Sequence, residues 1–211
     1  MPPLPARTLR IERLAAQRGE RLLFADLELT LGPGEAIELR GANGVGKTTL
    51  LLIVAGIVRA TAGRVWLQGG DPEQRWETDI GYLGHKGAIK PRLTVLENLG
   101  FWARLGGAPA DAVPAALETV GLAPIGWLEA GNLSAGQTRR LALARLLAGD
   151  RPVWLMDEPT AALDAAGEAL VARLIDRHLD AGGSARIATH HELGLSHAVK
   201  TVRLGEPAVT A

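Results

Sequence analysis

Apolar and polar positions alternate over residues 9–14 and 25–31, the period of two that suits half-buried strands. A turn signal, Leu31-Gly32-Pro33-Gly34, leads into residues 36–40, a short strand that ends at a glycine-rich loop. From 47 to 57 the apolar residues are dense and the β-branched ones scattered, which predicts a buried helix. Residues 64–68 and 79–83 read as further strands. Between about 93 and 148 the pattern changes: 94–105, 112–120 and 135–148 are helix-patterned, with Gly/Pro-rich breaks near 106–109 and 121–126. Residues 153–156 are four apolar side chains in a row before two acids, the mark of a fully buried strand. An amphipathic helix is expected over 165–180, and strands over 185–189 and 200–204. Strands alternating with helices imply an α/β fold with a largely parallel sheet, interrupted by an all-helical insertion.

Composition narrows this picture. At 211 residues and 47% hydrophobic, the chain can bury one substantial core, so a single domain is expected. The 23 basic and 23 acidic residues cancel, leaving no positive field to favour a nucleic-acid partner. Cysteine is absent, which excludes disulfides, thiolate metal sites and covalent c-type haem attachment. Residues 1–10 hold prolines and arginines without an apolar run, so no secretory signal is read there. The longest apolar stretch, 50–58, is far below the roughly 18 to 20 residues of a spanning helix. A soluble chain is expected, with any membrane role reached through a partner.

Candidate chemistry begins at Gly41-Ala42-Asn43-Gly44-Val45-Gly46-Lys47-Thr48-Thr49, a full match to G-x-x-x-x-G-K-[ST] with a strand before it and a helix after. Glycines allow the tight turn that aims successive N–H groups at phosphate oxygens, and the helix N-terminus adds its positive end. Lys47 supplies a point charge for the β- and γ-phosphates, and the Thr48 hydroxyl suits Mg²⁺. Downstream, the buried strand ends in Asp157 and Glu158, expected on the strand neighbouring that of the P-loop. Asp157 is then the second metal residue, and Glu158 the base that orients or deprotonates the attacking water. A nucleoside triphosphate and Mg²⁺ are the ligands this pair of elements predicts, as in P-loop NTPases; that the nucleotide is ATP is what the resemblance below implies.

Leu133-Ser134-Ala135-Gly136-Gln137, at the start of a helix, resembles the signature of ATP-binding cassette (ABC) proteins, and Ser134 is a good N-cap. Ala135 stands where that signature usually has glycine, harmless if its φ is negative. The resemblance implies a RecA-like core, an N-terminal antiparallel β subdomain and a helical subdomain at about 88–148, with the core at about 1–87 and 149–211. It also implies a homodimer in which Ser134, Ala135, Gly136 and Gln137 cap the ATP held by the second copy. Asp164, in the segment Pro159–Asp164 that resembles a D-loop, crosses the same interface. Thr189-His190-His191 resembles the switch-histidine segment, with His190 the better match, and His85 stands where a Q-loop glutamine is usual. A neutral histidine offers one acceptor nitrogen for Mg²⁺ or its water, and protonation removes it. The aromatic residue that usually stacks on adenine is missing from 15–18, where Arg18 offers a guanidinium plane instead; Phe24 is the only aromatic before Gly41.

Gly84-His85, the run Gly87-Ala88-Ile89-Lys90-Pro91-Arg92-Leu93-Thr94 and Gly19–Phe24 narrow the resemblance to the haem exporter ATP-binding subunits of bacterial cytochrome c maturation. That implies a peripheral subunit on the cytoplasmic face of the inner membrane. Its partners would be the multispanning CcmB, with CcmC and CcmD in the complex, and its ATP hydrolysis would release haem-loaded chaperone CcmE. A subunit of another ABC transporter shares every motif and remains the alternative, ahead of a soluble ABC ATPase. His85–Arg92 with Phe101 and Trp102 are a candidate docking surface for a membrane-partner helix, with Lys86 and Arg92 its charges; Phe101 and Trp102 read equally well as core. His178, His191 and His197 read as ordinary helix or loop residues.

Overall fold

The computed structural model describes residues 3–70, 75–85, 87–109 and 111–205. Two sheets organise them. The first is antiparallel, in the order β2-β1-β4, from β1 (Thr8–Arg18), β2 (Arg21–Leu31) and β4 (Ala62–Gln68). β1 and β2 run several residues beyond the alternating stretches because bulges interrupt the alternation. Buried positions are Leu9 and Ile11, then Leu14 and Ala16, and the phase shift falls at Arg13, which takes a positive φ of 44°. Asp26, with φ 52°, plays the same part in β2.

The second sheet is parallel, in the order β5-β6-β7-β3-β8, from β3 (Ala36–Arg40), β5 (Ile80–Leu83), β6 (Val153–Asp157), β7 (Ser184–Ala188) and β8 (Val199–Arg203). One sequence expectation is corrected here. The strand that ends in Asp157 does not neighbour the P-loop strand: β7 lies between them and pairs with both. The order of strands depends on where the last crossover inserts β7, which periodicity does not encode. Asp157 still reaches the P-loop side, because Val153, Leu155 and Asp157 share one face of β6. That face packs with Ile37, Leu39 and helix α1 (Lys47–Val54), beneath the antiparallel sheet. α1 is shorter than predicted because Gly56, at φ 69°, turns the chain out of the helix, with Ile57 N–H bonded to Leu52 O.

The opposite face of the parallel sheet packs on α5 (Ala165–Asp180) and on the helical insertion, α2 (Val95–Leu105), α3 (Ala112–Thr119) and α4 (Ala135–Gly149). Reciprocal capping boxes fix two of these helix starts, Thr94 with Glu97 and Ser134 with Gln137. Asp164 caps α5 by accepting from Gly167 N–H at 2.8 Å. Ala135 lies within α4 and is not among the residues with positive φ, so its side chain costs the helix start nothing. No helix among the described residues is long and apolar enough to cross a membrane.

Candidate active site

A cavity of about 540 Å³ opens at the C-terminal ends of the parallel strands, a size usual for small-molecule sites. Asn43, Gly44, Gly46, Lys47, Thr48 and Thr49 form one wall, Asp157 and Glu158 another, and His85, His190, Arg18 and Leu23 close the rest. The P-loop owes its shape to glycine. Gly41 takes φ 145°, and a Cβ there would meet Leu204 O at 2.7 Å. Gly46 takes φ 113° with Leu23 and Phe24 directly behind it. Leu50 N–H makes the helix's early bond to Gly46 O, which leaves the N–H groups of Lys47, Thr48 and Thr49 without intrahelical acceptors at the cavity wall.

Lys47 is buried, and its ammonium donates to Gly41 O at 2.7 Å and Ala42 O at 3.2 Å. The Thr48 hydroxyl donates to Asp157 Oδ2 at 2.8 Å, so the two residues predicted to hold a metal already meet. A hydroxyl and a carboxylate are hard oxygen donors that suit Mg²⁺. No group of three or more His, Cys, Asp or Glu able to hold a metal occurs among the described residues. Thr48 and Asp157 alone leave an octahedral ion to draw its other ligands from phosphate and water.

Glu158 lies just past β6 with φ 49°, a left-handed conformation that costs a residue with a side chain about 1 kcal/mol or more. Its N–H is anchored on Ala188 O at 2.8 Å. His190 follows β7, and its Nε2 lies 2.9 Å from Asn43 Oδ1 and 3.6 Å from Glu158 Oε1. His190 therefore stands at the cavity, whereas His191 turns away, exposed, with its N–H on Thr189 Oγ1. The Asn43–His190 contact was not foreseen from sequence, because position 43 is a free one within the P-loop pattern. His85 lines the cavity from the loop after β5. Arg18 does so from the end of β1, while Phe24 is buried behind Gly46 and presents no face to a base.

Ser134–Gln137 and Asp164 do not line this cavity. They form a separate surface in which Gly136 packs beneath Ala162 O and Arg140 approaches Asp164 at 3.7 Å. Phe101 is 37% exposed and stands edge-on to Trp102, whose indole N–H donates to Ala88 O at 3.2 Å. Neither ring belongs to the buried core; Lys90 sits over Phe101 at 4.9 Å and Arg145 over Trp102 at 4.1 Å. Lys86 lies outside the described residues. Of the remaining histidines, His178 is fully buried, and His197 is half-buried and paired with Asp176 and Asp180.

Fold and site together define an ATP-binding cassette, an ABC-type ATPase with its nucleotide loop between two sheets. The ABC transporter family model matches residues 24–161, and the chain belongs to that family as a CcmA-like ATP-binding subunit. It is 50% identical over 196 residues to the cytochrome c biogenesis ATP-binding export protein CcmA of Rhodopseudomonas palustris, covering 92% of this chain and 96% of that one. Among solved structures, a putative ABC transporter ATP-binding protein from Pyrococcus furiosus superposes with a TM-score of 0.79 at 25% identity, over 93% of this chain and 97% of that one. A dimeric ATP-binding cassette in a post-hydrolysis state with ADP and Pi gives a TM-score of 0.76 at 25% identity, over 87% and 88%.

Proposed function

We propose that this chain is the ATP-hydrolysing subunit of a cytochrome c maturation complex of the haem-export type. It acts as a homodimer that encloses two ATP molecules and drives a membrane partner. The observation that carries the reading is the convergence of Thr48, Asp157, Glu158, His190 and Asn43 on one cavity beside the P-loop. In this reading Gly41–Thr49 bind the phosphates, Lys47 neutralises β- and γ-oxygens, and Thr48 and Asp157 hold Mg²⁺. The ion, when bound, offsets charge on the phosphate oxygens. Glu158 accepts the proton of the water that attacks the γ-phosphorus, and His190, steadied by Asn43, holds that water and the γ-phosphate in line. His85 takes the Q-loop position between the site and the membrane partner. From the second copy, Ser134–Gln137 bring helix N-terminal N–H groups to the γ-phosphate and Asp164 crosses the interface.

The relatives' name, a cytochrome c biogenesis ATP-binding export protein, supports the system; within it we place the chain as a peripheral subunit at the cytoplasmic face of the inner membrane, bound to CcmB with CcmC and CcmD, whose turnover releases CcmE. Arg92, Phe101 and Trp102, exposed or half-buried beside the loop after β5, are the docking surface in this reading. Complementation of a strain unable to mature c-type cytochromes tests it. The wild-type chain restores covalent haem attachment, and Glu158→Gln does not. Full restoration by Glu158→Gln refutes the role of ATP hydrolysis, and failure of the wild type alongside normal ATPase activity points to another ABC complex.

A further inference from the structure

Helix α4 runs from Ser134 into the core, and Arg139, two residues past Gln137, is 6% exposed there. Among the described residues, all the hydrogen bonds its guanidinium makes go to main-chain carbonyls. Nε donates to Pro159 O at 3.0 Å, Nη1 to Gly84 O at 2.9 Å, and Nη2 to Asp157 O at 2.6 Å and to Glu158 O. Those acceptors belong to two separate segments of the cavity: the turn that carries both carboxylates, and the loop that carries His85. A planar fork with five N–H donors can satisfy four carbonyls in different directions, whereas an ammonium with three donors on one atom cannot. Six residues further along α4, Arg145 Nη1 donates to Gly87 O, gripping the far end of the same loop.

We propose that Arg139 is a positioning residue that holds Glu158 and His85 in register with the Ser134 helix. Glu158 needs such a hold, because its left-handed backbone is retained only by what surrounds it. Its N–H is tied to β7 and its carbonyl to Arg139, so the carboxylate is aimed from both ends of the residue. A displacement of α4, or of the loop after β5, is passed through one guanidinium to the base. This inference rests on the reading of Glu158 as the base in the proposed function.

The test compares wild type, Arg139→Lys and Arg139→Gln as full chains, read by single-turnover ATP hydrolysis, nucleotide affinity and amide hydrogen exchange. Arg139→Lys is expected to bind nucleotide within about threefold of wild type while its rate of hydrolysis falls about 100-fold. Amides of 87–92 and 158–164 exchange faster, and those of α1 keep their protection. A rate within about threefold of wild type overturns the proposal. So does a loss of protection throughout the chain with nucleotide affinity falling in step, since that marks a side chain that only stabilises. Arg139→Gln, neutral and with two donors, supplies the same comparison where the lysine variant fails to fold. Glu158→Gln in the same assay separates the two readings. If it hydrolyses ATP normally, the base assignment is wrong; if it is inactive while Arg139→Lys is not, only the positioning role falls.

Discussion

Burial governs two basic side chains that take no part in the site. His178 is fully buried and stacks on Trp154 with ring centroids 3.9 Å apart and 9° between planes. Its Nε2 is 3.3 Å from Ser184 O. Burial pushes its pKa down from 6.5 to about 4. The unfolded chain takes up this proton near pH 6.5 and the folded chain only near 4, so between those values the unfolded state binds more protons. The folded state is therefore favoured above pH 6.5 and progressively disfavoured as pH falls to about 4, by at most about 3 kcal/mol. His178→Phe keeps a ring against Trp154 and cannot titrate. Its melting temperature should fall less than that of wild type between pH 6.5 and 4.5, and parallel curves would refute the account. Arg186, in the middle of β7 between Ile37 and Leu155, is fully buried, and none of its three guanidinium nitrogens has a hydrogen-bond partner among the described residues. Burial lowers its pKa to about 9, which leaves it charged at pH 7. Arg186→Met keeps the apolar stem and removes the buried charge, so it should stabilise the chain by about 1 kcal/mol or more in urea unfolding. A lower midpoint would show that the charge is satisfied.

Among the elements, α4 carries two duties that substitution can separate. Ser134 accepts from Gln137 N–H at 3.2 Å and Gln137 returns a bond to Ser134 N–H at 2.9 Å, a local capping role. The proposed role toward the second copy uses the same helix start. Ser134→Ala loses the cap and should cost about 1 kcal/mol of stability. Ser134→Asp keeps a good cap but sets a carboxylate against phosphate, so it should melt near wild type and yet lose ATP-driven dimerisation. If Ser134→Asp dimerises normally with ATP, the helix start is only a cap. What was legible in the sequence follows from the same distinction. The Gly41–Thr49 loop, the Ser134 box and the helices of the insertion are specified within a few residues of chain, and the structure forms all of them. The insertion of β7 between β3 and β6, the Asn43–His190 contact and the four carbonyls on Arg139 join segments far apart in the chain. No local pattern encodes such partners. The bulge at Arg13 hid half of β1 for a related reason: a period-two reading stops where the phase shifts, though the strand does not.

At the scale of the whole molecule, the proposed site is incomplete in one chain, because the Ser134–Gln137 and Asp164 surface lies apart from the 540 Å³ cavity that holds the P-loop, Asp157, Glu158 and His190. A two-fold arrangement in which each chain lends that surface to the other makes two equivalent composite sites. This has a consequence that no single-chain site shares. Lys47→Ala removes the phosphate-binding charge from a chain but leaves its Ser134 helix intact; Ser134→Asp does the reverse. Each variant alone forms only defective sites and should be inactive. In a mixture, the mixed dimer has one site with both defects and one site with neither, since the intact P-loop of the Ser134→Asp chain faces the intact helix of the Lys47→Ala chain. Neither variant closes on a copy of itself around ATP, so the mixed dimer is the one that forms; half of its sites are sound, and up to about half of wild-type ATPase activity should return in an equimolar mixture if each site turns over independently. The recovery should appear only on mixing and vanish on dilution below the dimerisation range. A mixture no more active than its components would mean either that each chain completes its own site or that both sites must fire together. Repeating the measurement with wild type mixed into excess Lys47→Ala tells these apart. Activity in proportion to the wild-type chains present marks self-sufficient sites, and activity falling with the square of their fraction marks obligate pairs.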